Sequence, residues 1–209
     1  MRRNSFWLLV LFWLFSHATI FGAEAAKTGI VKGTITIGGK PTLDVVVSVE
    51  GPVKEKLETR NSKLKTAKAV IDQRDMKFLP RVLPVLVGTA VDFPNNDKVW
   101  HNVFSASEAK KFDLGLYAPG NSRSVTFDKP GVVRILCNVH PDMEAYIVVK
   151  GHSYFAAADK RGIYQLNGAP LGKYRLEIWH PEFGTKSVPF ELVREGEVLA
   201  VDFDLKKQR

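Results

Sequence analysis

Short runs of apolar residues, many of them alternating with polar ones, recur along most of the chain. In the clearest run Tyr174, Leu176 and Ile178 alternate with Arg175 and Glu177, the pattern of a strand with one buried face and one solvated face. Glycine, proline and asparagine clusters separate the runs, and no long segment has the period of an amphipathic helix. Short strands at this spacing predict an all-β protein, either a β-sandwich or a β-barrel. The predicted strands cover residues 30–37, 45–49, 69–71, 82–87, 91–93, 102–104, 124–127, 132–137, 145–149, 155–158, 163–166, 174–179, 188–192 and 199–203.

The first 25 residues have the pattern of an export signal. Arg2 and Arg3 precede an unbroken apolar run over residues 6–15, and small residues at Ala23 and Ala25 suit cleavage after Ala25. The apolar run is shorter than the stretch of about 20 residues that a transmembrane helix needs. We therefore predict a signal peptide over residues 1–25, export to a bacterial periplasm or its equivalent, and no membrane span after cleavage. An uncleaved N-terminal anchor is the alternative.

Composition and charge narrow the functional classes. The chain has 209 residues, 45% of them hydrophobic and 25% charged, as in ordinary globular proteins, and its single cysteine rules out an internal disulfide. The net charge of +8 suits an anionic partner, but dispersed basic residues and export argue against nucleic acid. An unpaired thiol in an oxidising compartment is a liability unless it pairs with another chain or binds a metal. Cys137 is therefore a candidate functional residue.

Four residues have the chemistry of a metal site. Cys137, His140 and Met143 form a C-x2-H-x2-M run after a predicted strand, and His101 lies upstream at the start of another. A copper ion that alternates between Cu(I) and Cu(II) suits one thiolate, two imidazoles in a trigonal plane and a more distant thioether. We therefore predict that these four side chains bind one copper ion. The alternatives are zinc, whose structural sites usually use several cysteines or histidines, and a buried free cysteine beside a turn histidine, with Met143 filling the core.

The stretch over residues 67–150 resembles a cupredoxin, the type 1 blue copper domain of plastocyanin, pseudoazurin and amicyanin. His101 matches the first histidine ligand, and Cys137, His140 and Met143 match the other three. The two-residue gap between His140 and Met143 is similar to the short loop of amicyanin-like proteins. The resemblance implies a Greek-key β-sandwich that holds one type 1 copper ion.

The resemblance also implies roles for residues around the ligands. Asn102 would hydrogen-bond across to the ligand loop and fix its geometry. His140 would expose its ring edge to solvent and serve as the electron port. The candidates for an apolar collar around it, with ordinary loop packing as the alternative, are Leu116, Tyr117, Pro119 and Pro141.

The remaining strands resemble a second, smaller β-sandwich. Residues 27–53 resemble the first half of a carboxypeptidase-regulatory-like (transthyretin-like) module and residues 151–205 its second half, while the charged residues 54–66 form a predicted linker. We expect the copper domain to be inserted into this module. The alternative is tandem order, with the first strands capping the copper domain. His152 and His180 lack neighbouring ligands at metal spacing and are interpreted as surface or packing residues.

The predicted function is that of a periplasmic one-electron carrier rather than an enzyme. Its partners would be redox proteins of the dehydrogenase or cytochrome type. Docking would be weak and fast, and weakened by salt if the partner faces are acidic. The alternatives are copper handling without redox traffic, and a structural envelope protein.

Overall fold

The computed structural model describes residues 27–51 and 69–206. The predicted signal peptide over residues 1–25 and the predicted linker over residues 54–66 lie outside these ranges. Regular structure in the described ranges consists of β-strands only, so they contain no helix that is long and apolar enough to span a membrane. The all-β class that the alternating pattern predicts is confirmed.

The runs predicted from the sequence all fall on strands, although the run 199–203 is divided between two. The sequence pattern does not predict the strands at residues 40–41, 72–74, 77–79 and 110–117. The strands in chain order are β1 (Thr28–Ile37), β2 (Lys40–Pro41), β3 (Val46–Glu50), β4 (Ala69–Val70), β5 (Asp72–Arg74), β6 (Lys77–Leu79), β7 (Val82–Leu86), β8 (Thr89–Pro94), β9 (His101–Ser107), β10 (Lys110–Tyr117), β11 (Ser122–Phe127), β12 (Gly131–Leu136), β13 (Glu144–Lys150), β14 (Phe155–Ala157), β15 (Ile163–Pro170), β16 (Gly172–His180), β17 (Gly184–Leu192), β18 (Val198–Ala200) and β19 (Phe203–Asp204).

Strands β1 to β3 belong with the strands that follow residue 150. β1 pairs with β15, β18, β19 and β2, while β3 lies between β14 and β16 with β17 at the edge. Buried Val31, Val47 and Leu176 belong to the apolar core of these two sheets. Residues 27–51 and 151–206 therefore share one sandwich, here named the flanking sandwich.

Residues 69–150 form a second sandwich, here named the central sandwich. One sheet has the order β10-β9-β12-β13-β7, and the other has the order β11-β8-β4. Phe93, Phe127, Ile135 and Ile147 are fully buried in its core. Because β9 and β12 are antiparallel neighbours, the start of β9 and the end of β12 lie at the same end of the sheet. This end carries the loop over residues 137–143.

The two sandwiches meet along a seam with an apolar centre. Val46 and Trp179 of the flanking sandwich form a buried cluster with Val82 and Val148 of the central one. The ring of Trp179 also lies 5.4 Å from the ring of Tyr146. Strands β7 and β13 of the central sandwich are therefore covered on one face.

Among the residues that the structure describes, ion pairs cross this seam in two places. Arg81 Nη1 lies 3.1 Å from Asp44 Oδ2. At the end of β13, Lys150 Nζ lies 2.8 Å from both Glu50 Oε1 and Glu177 Oε1. Each pair joins a cation of the central sandwich to carboxylates of the flanking one, so the seam matches charge as well as shape.

Candidate metal centre

Three side chains from separate elements converge at one end of the central sandwich. His101 begins β9, Cys137 directly follows β12, and His140 lies on the loop 137–143. The Nδ1 atoms of the two histidines are 3.0 Å apart. Cys137 Sγ is 3.9 Å from His101 Nδ1 and 3.8 Å from His140 Nδ1. Among histidine, cysteine and acidic residues of the described ranges, this is the only group whose ligand atoms lie close enough together to hold a metal ion.

The size of this triangle fits a metal ion. Its sides of 3.0, 3.8 and 3.9 Å place a point equidistant from the three atoms about 2.1 Å from each, close to the bond lengths of about 2.0–2.3 Å that zinc forms with histidine and cysteine. One thiolate with two imidazoles is also the trigonal donor set of blue copper sites. The residues present therefore fit a copper ion in both spacing and chemistry.

The three candidate metal donors differ in how deeply they are buried. His101 is fully buried and Cys137 is 5% exposed, whereas His140 is only partly buried. Water is thus excluded from one imidazole and from the thiol, and the other imidazole remains at the surface. This is the arrangement expected when His140 is the side chain through which the site meets its surroundings.

Met143 shares the buried environment of Cys137. It is 1% exposed and belongs to the same apolar cluster as the cysteine. Its backbone N–H donates to the carbonyl oxygen of His140 at 3.0 Å, which closes a turn within the loop. The role of its thioether as a ligand stays a prediction.

Asn102 is buried beside the site, but its side chain points to a different partner from the one expected. Its Nδ2 donates to Asp113 Oδ1 at 2.6 Å, and its Oδ1 is buried without a hydrogen-bond partner in the described part of the chain. The expected hydrogen bond to the ligand loop is therefore not present. The reason is a competing acceptor on the neighbouring strand β10: Asp113 Oδ1 accepts from Asn102 Nδ2 of β9 and from the Gly115 N–H within β10, beside the bulge in the pairing of the two strands. These two bonds, that from Gly115 first, lower the pKa of Asp113.

Asp97 holds the first histidine, and sequence reasoning missed this role. Its Oδ2 lies 2.9 Å from His101 Nε2 and accepts the Met76 N–H at 2.7 Å, while its Oδ1 accepts the Lys98 N–H at 2.7 Å. The Met76 bond above all, with the bonds from His101 and Lys98, lowers the pKa of Asp97 to about 2. An ionised carboxylate only accepts, so this contact suits the His101 tautomer that has its proton on Nε2 and a lone pair on Nδ1. An aspartate four residues before a candidate ligand was the available signal.

Several apolar side chains are exposed at this end of the sandwich, although one expected member of the collar is internal. Leu116, Pro119 and Pro141 are exposed as the collar requires. Tyr117 is instead 3% exposed, and its hydroxyl donates to the Phe93 carbonyl oxygen at 2.9 Å, so it is a core residue. Near the candidate ligands in the chain, Val99, Trp100 and Val139 are also exposed, and the sequence did not single them out.

His152 and His180 lie outside the convergent group. His152 Nε2 is 3.9 Å from Glu50 Oε1 at the seam. His180 is buried, its Nδ1 accepts the Glu182 N–H at 3.1 Å, and its ring packs 5.2 Å from that of Phe183. These contacts are those of packing residues.

Comparison with known families agrees with this site. Residues 65–150 match the family of copper binding proteins, plastocyanin/azurin family. The match spans less than half of the chain and coincides with the central sandwich and all four candidate ligands. It supports a cupredoxin assignment for this part, while the transthyretin-like resemblance of the flanking strands has no counterpart in it. No curated protein matches the chain.

Several solved structures are similar to part of the chain. A purple cupredoxin from Nitrosopumilus maritimus is 25% identical over 40% of this chain and 100% of its own, with a TM-score of 0.37. A copper-containing nitrite reductase from Thermus scotoductus is 26% identical over 42% of this chain and 23% of its own, with a TM-score of 0.39. A reduced amicyanin variant is 21% identical over 50% of this chain and 98% of its own, with a TM-score of 0.38. All three TM-scores are below 0.5, so these likenesses do not bear on function.

Proposed function

We propose that this protein is an exported, periplasmic type 1 copper protein that carries single electrons between redox partners and converts no substrate. The observation that carries the proposal is the convergence of His101 Nδ1, Cys137 Sγ and His140 Nδ1 on one point. The copper-binding family match over the same residues supports it. Met143, buried in the cluster of Cys137, would add a weak axial donor.

Bound copper would supply reversible one-electron exchange between Cu(I) and Cu(II). The chain contributes rigidity. The His101 ring is fully buried and held by Asp97, and Cys137 lies among apolar side chains at the end of a strand. Because the donors are fixed by strands and hydrogen bonds, little rearrangement would accompany the change of charge, and a small rearrangement favours fast transfer.

Electrons would enter and leave through His140, the most exposed of the three donors. Exposed Trp100, Leu116 and Val139 lie at the same end of the sandwich and provide an apolar docking surface. Redox encounters use small interfaces and dissociate quickly. With a net charge of +8, the chain favours acidic faces on dehydrogenase-type or cytochrome-type partners, and salt should weaken such docking.

The test is the spectrum of the copper-loaded mature protein. We expect one copper ion per chain, an intense blue or green thiolate-to-Cu(II) absorption, and a matching paramagnetic resonance signal. The control is Cys137→Ser, which is close in size and should lose the absorption while keeping the fold. A wild-type protein that binds copper without this absorption would contradict the proposal.

Copper delivery fits the structure less well than electron transfer. A protein that hands over its ion needs donors that an acceptor can reach, whereas His101 is fully buried and Cys137 is 5% exposed. A purely structural role in the envelope makes a different prediction, because Cys137→Ser would then keep all cellular function.

A further inference from the structure

The segment that carries Asp97 is held by hydrogen bonds to a neighbouring hairpin. Strands β5 and β6 form this hairpin over residues 72–79, and its turn places Asp75 and Met76 at positive φ, 51° and 53°. The unusual backbone conformation aims the Met76 N–H at Asp97 Oδ2, 2.7 Å away. A backbone donor cannot change rotamer, so it fixes the carboxylate more firmly than a flexible side chain would.

The same hairpin also binds the residues just before Asp97. Gln73 is fully buried, and its Nε2 donates to the carbonyl oxygens of Phe93 and Pro94 at 3.3 and 3.1 Å. The Asn96 N–H donates to the Gln73 carbonyl oxygen at 3.0 Å, and the Asn96 side chain donates to Asp72 at 2.9 Å. The chain between β8 and β9 is therefore tied to the hairpin at several consecutive positions.

We propose that Asp97, held by the hairpin over residues 72–79, is the positioning residue that sets the ring orientation and tautomer of His101 and lowers the reduction potential of the site. The inference rests on the proposed function, because it concerns the same metal centre. Asp97 touches neither the thiol nor His140. It acts through the far nitrogen of His101, at 2.9 Å.

Two effects of the carboxylate act in the same direction. It keeps the proton on Nε2, so Nδ1 is free to donate to a metal, and it raises the basicity of the ring. Its side chain is only 9% exposed, so its negative charge is weakly screened by solvent. Both effects stabilise the more highly charged Cu(II) state over Cu(I). The charged aspartate therefore favours the oxidised form.

The first experiment compares the reduction potentials of copper-loaded Asp97→Asn and Asp128→Asn. Both variants remove one negative charge. Asp128 precedes β12, whereas Cys137 follows it, so the length of this strand separates Asp128 from the site. Loss of a histidine's carboxylate partner typically weakens metal binding by about 10–100-fold. If the loss falls mainly on Cu(II), each tenfold raises the potential by about 59 mV for one electron.

The expected result is a higher potential for Asp97→Asn and an unchanged one for Asp128→Asn. Asp97→Glu, which keeps the charge, should recover part of the wild-type value. Equal potentials for the two asparagine variants would overturn the proposal.

The second experiment needs neither copper nor a variant. Nitrogen-15 resonance of the metal-free protein at mildly alkaline pH reports which ring nitrogen of His101 carries the proton. We expect a slowly exchanging proton on Nε2, and a proton on Nδ1 alone would overturn the proposal. The measurement stands even if Asp97→Asn fails to fold. It also separates this inference from the electron-carrier proposal, which fails on the absence of the thiolate absorption in copper-loaded wild-type protein.

Discussion

The central and flanking sandwiches both have apolar cores, but they differ in the polar side chains that they bury. Among the described residues, the buried polar side chains of the flanking sandwich are Ser48 and His180. Those of the central sandwich are Gln73, Thr89, Asn95, His101, Asn102 and Ser105.

Among the described residues, two buried side-chain oxygens of the central sandwich, Gln73 Oε1 and Asn102 Oδ1, have no protein hydrogen-bond partner. Buried polar side chains are therefore concentrated in the sandwich that holds the converging donors, whereas the flanking sandwich buries mainly apolar ones. Variants that change one property without the other can test this division.

The largest effect is expected from a cavity in the flanking sandwich. Leu176 is fully buried in its core, so Leu176→Ala should lower the free energy of unfolding by about 2–5 kcal/mol. Denaturant titration of the metal-free protein measures this loss. The copper absorption of the molecules that remain folded should not change, because Leu176 belongs to the other core. A shifted absorption band would show that the two sandwiches are not separable in this way.

A smaller effect on stability and a specific effect on the metal are expected from Met143→Leu. The swap nearly conserves volume, so it should change the free energy of unfolding by less than about 1.5 kcal/mol. If the thioether is a weak axial donor, the blue or green colour should persist and the reduction potential should rise, because a donor to Cu(II) is lost. The control is Ile147→Leu, a volume-conserving swap in the same cluster. A lower potential or a vanished colour would refute the role of Met143.

The smallest effect is expected at the seam, from Glu50. Two basic side chains, His152 first and then Lys150, lower the pKa of Glu50 from 4.5 to about 2. Lys150 Nζ is in direct contact with Glu50 Oε1 at 2.8 Å, whereas His152 Nε2 lies 3.9 Å from the same oxygen, beyond hydrogen-bond length. A carboxyl whose pKa is lowered on folding stabilises the fold at pH values above the pKa of the unfolded state. This contribution is therefore lost as the pH falls from about 4.5 to about 2. Glu50 is 37% exposed, so screening reduces the contribution to about 1 kcal/mol.

Glu50→Gln should therefore flatten the acid limb of the stability curve, measured by denaturant titration at several pH values. Glu108→Gln removes the same charge from a side chain that is 93% exposed and should leave the curve as it is. Identical curves for wild type and Glu50→Gln would show that this ion pair does not stabilise the seam.

Most strands with a clear apolar pattern were predicted from the sequence, whereas the missed ones have a short, interrupted or mostly polar pattern. The β5–β6 hairpin contains Asp72, Arg74 and Lys77, and its two buried members are the polar Gln73 and the apolar Phe78, so it has no run of alternating apolar residues. In β10, Phe112 and Leu114 do alternate with polar residues, but the strand begins with two lysines and its pairing is interrupted by a bulge before Leu116. Propensity and period cannot detect strands that form because partners and hydrogen bonds are provided elsewhere in the fold.

The same limit explains the outcome at the candidate site. The spacing of Cys137, His140 and Met143 within one loop is visible in the sequence, and residue chemistry and the cupredoxin resemblance added His101. The contacts of Asn102 and Asp97 depend on β10 and on the β5–β6 hairpin, neither of which was predicted. Side-chain orientation follows from these long-range pairings, so the hydrogen bonds behind the donors became visible only in the structure.

The contact between Lys150 and Glu50 has a consequence for the architecture as a whole. It joins two residues that are 100 positions apart in the chain, so the polypeptide returns to the flanking sheet beside the strand from which it departed. A segment whose two ends meet in this way can be exchanged at little entropic cost to its host. The flanking sandwich therefore keeps its two sheets continuous although about 100 residues lie between β3 and β14 in the chain.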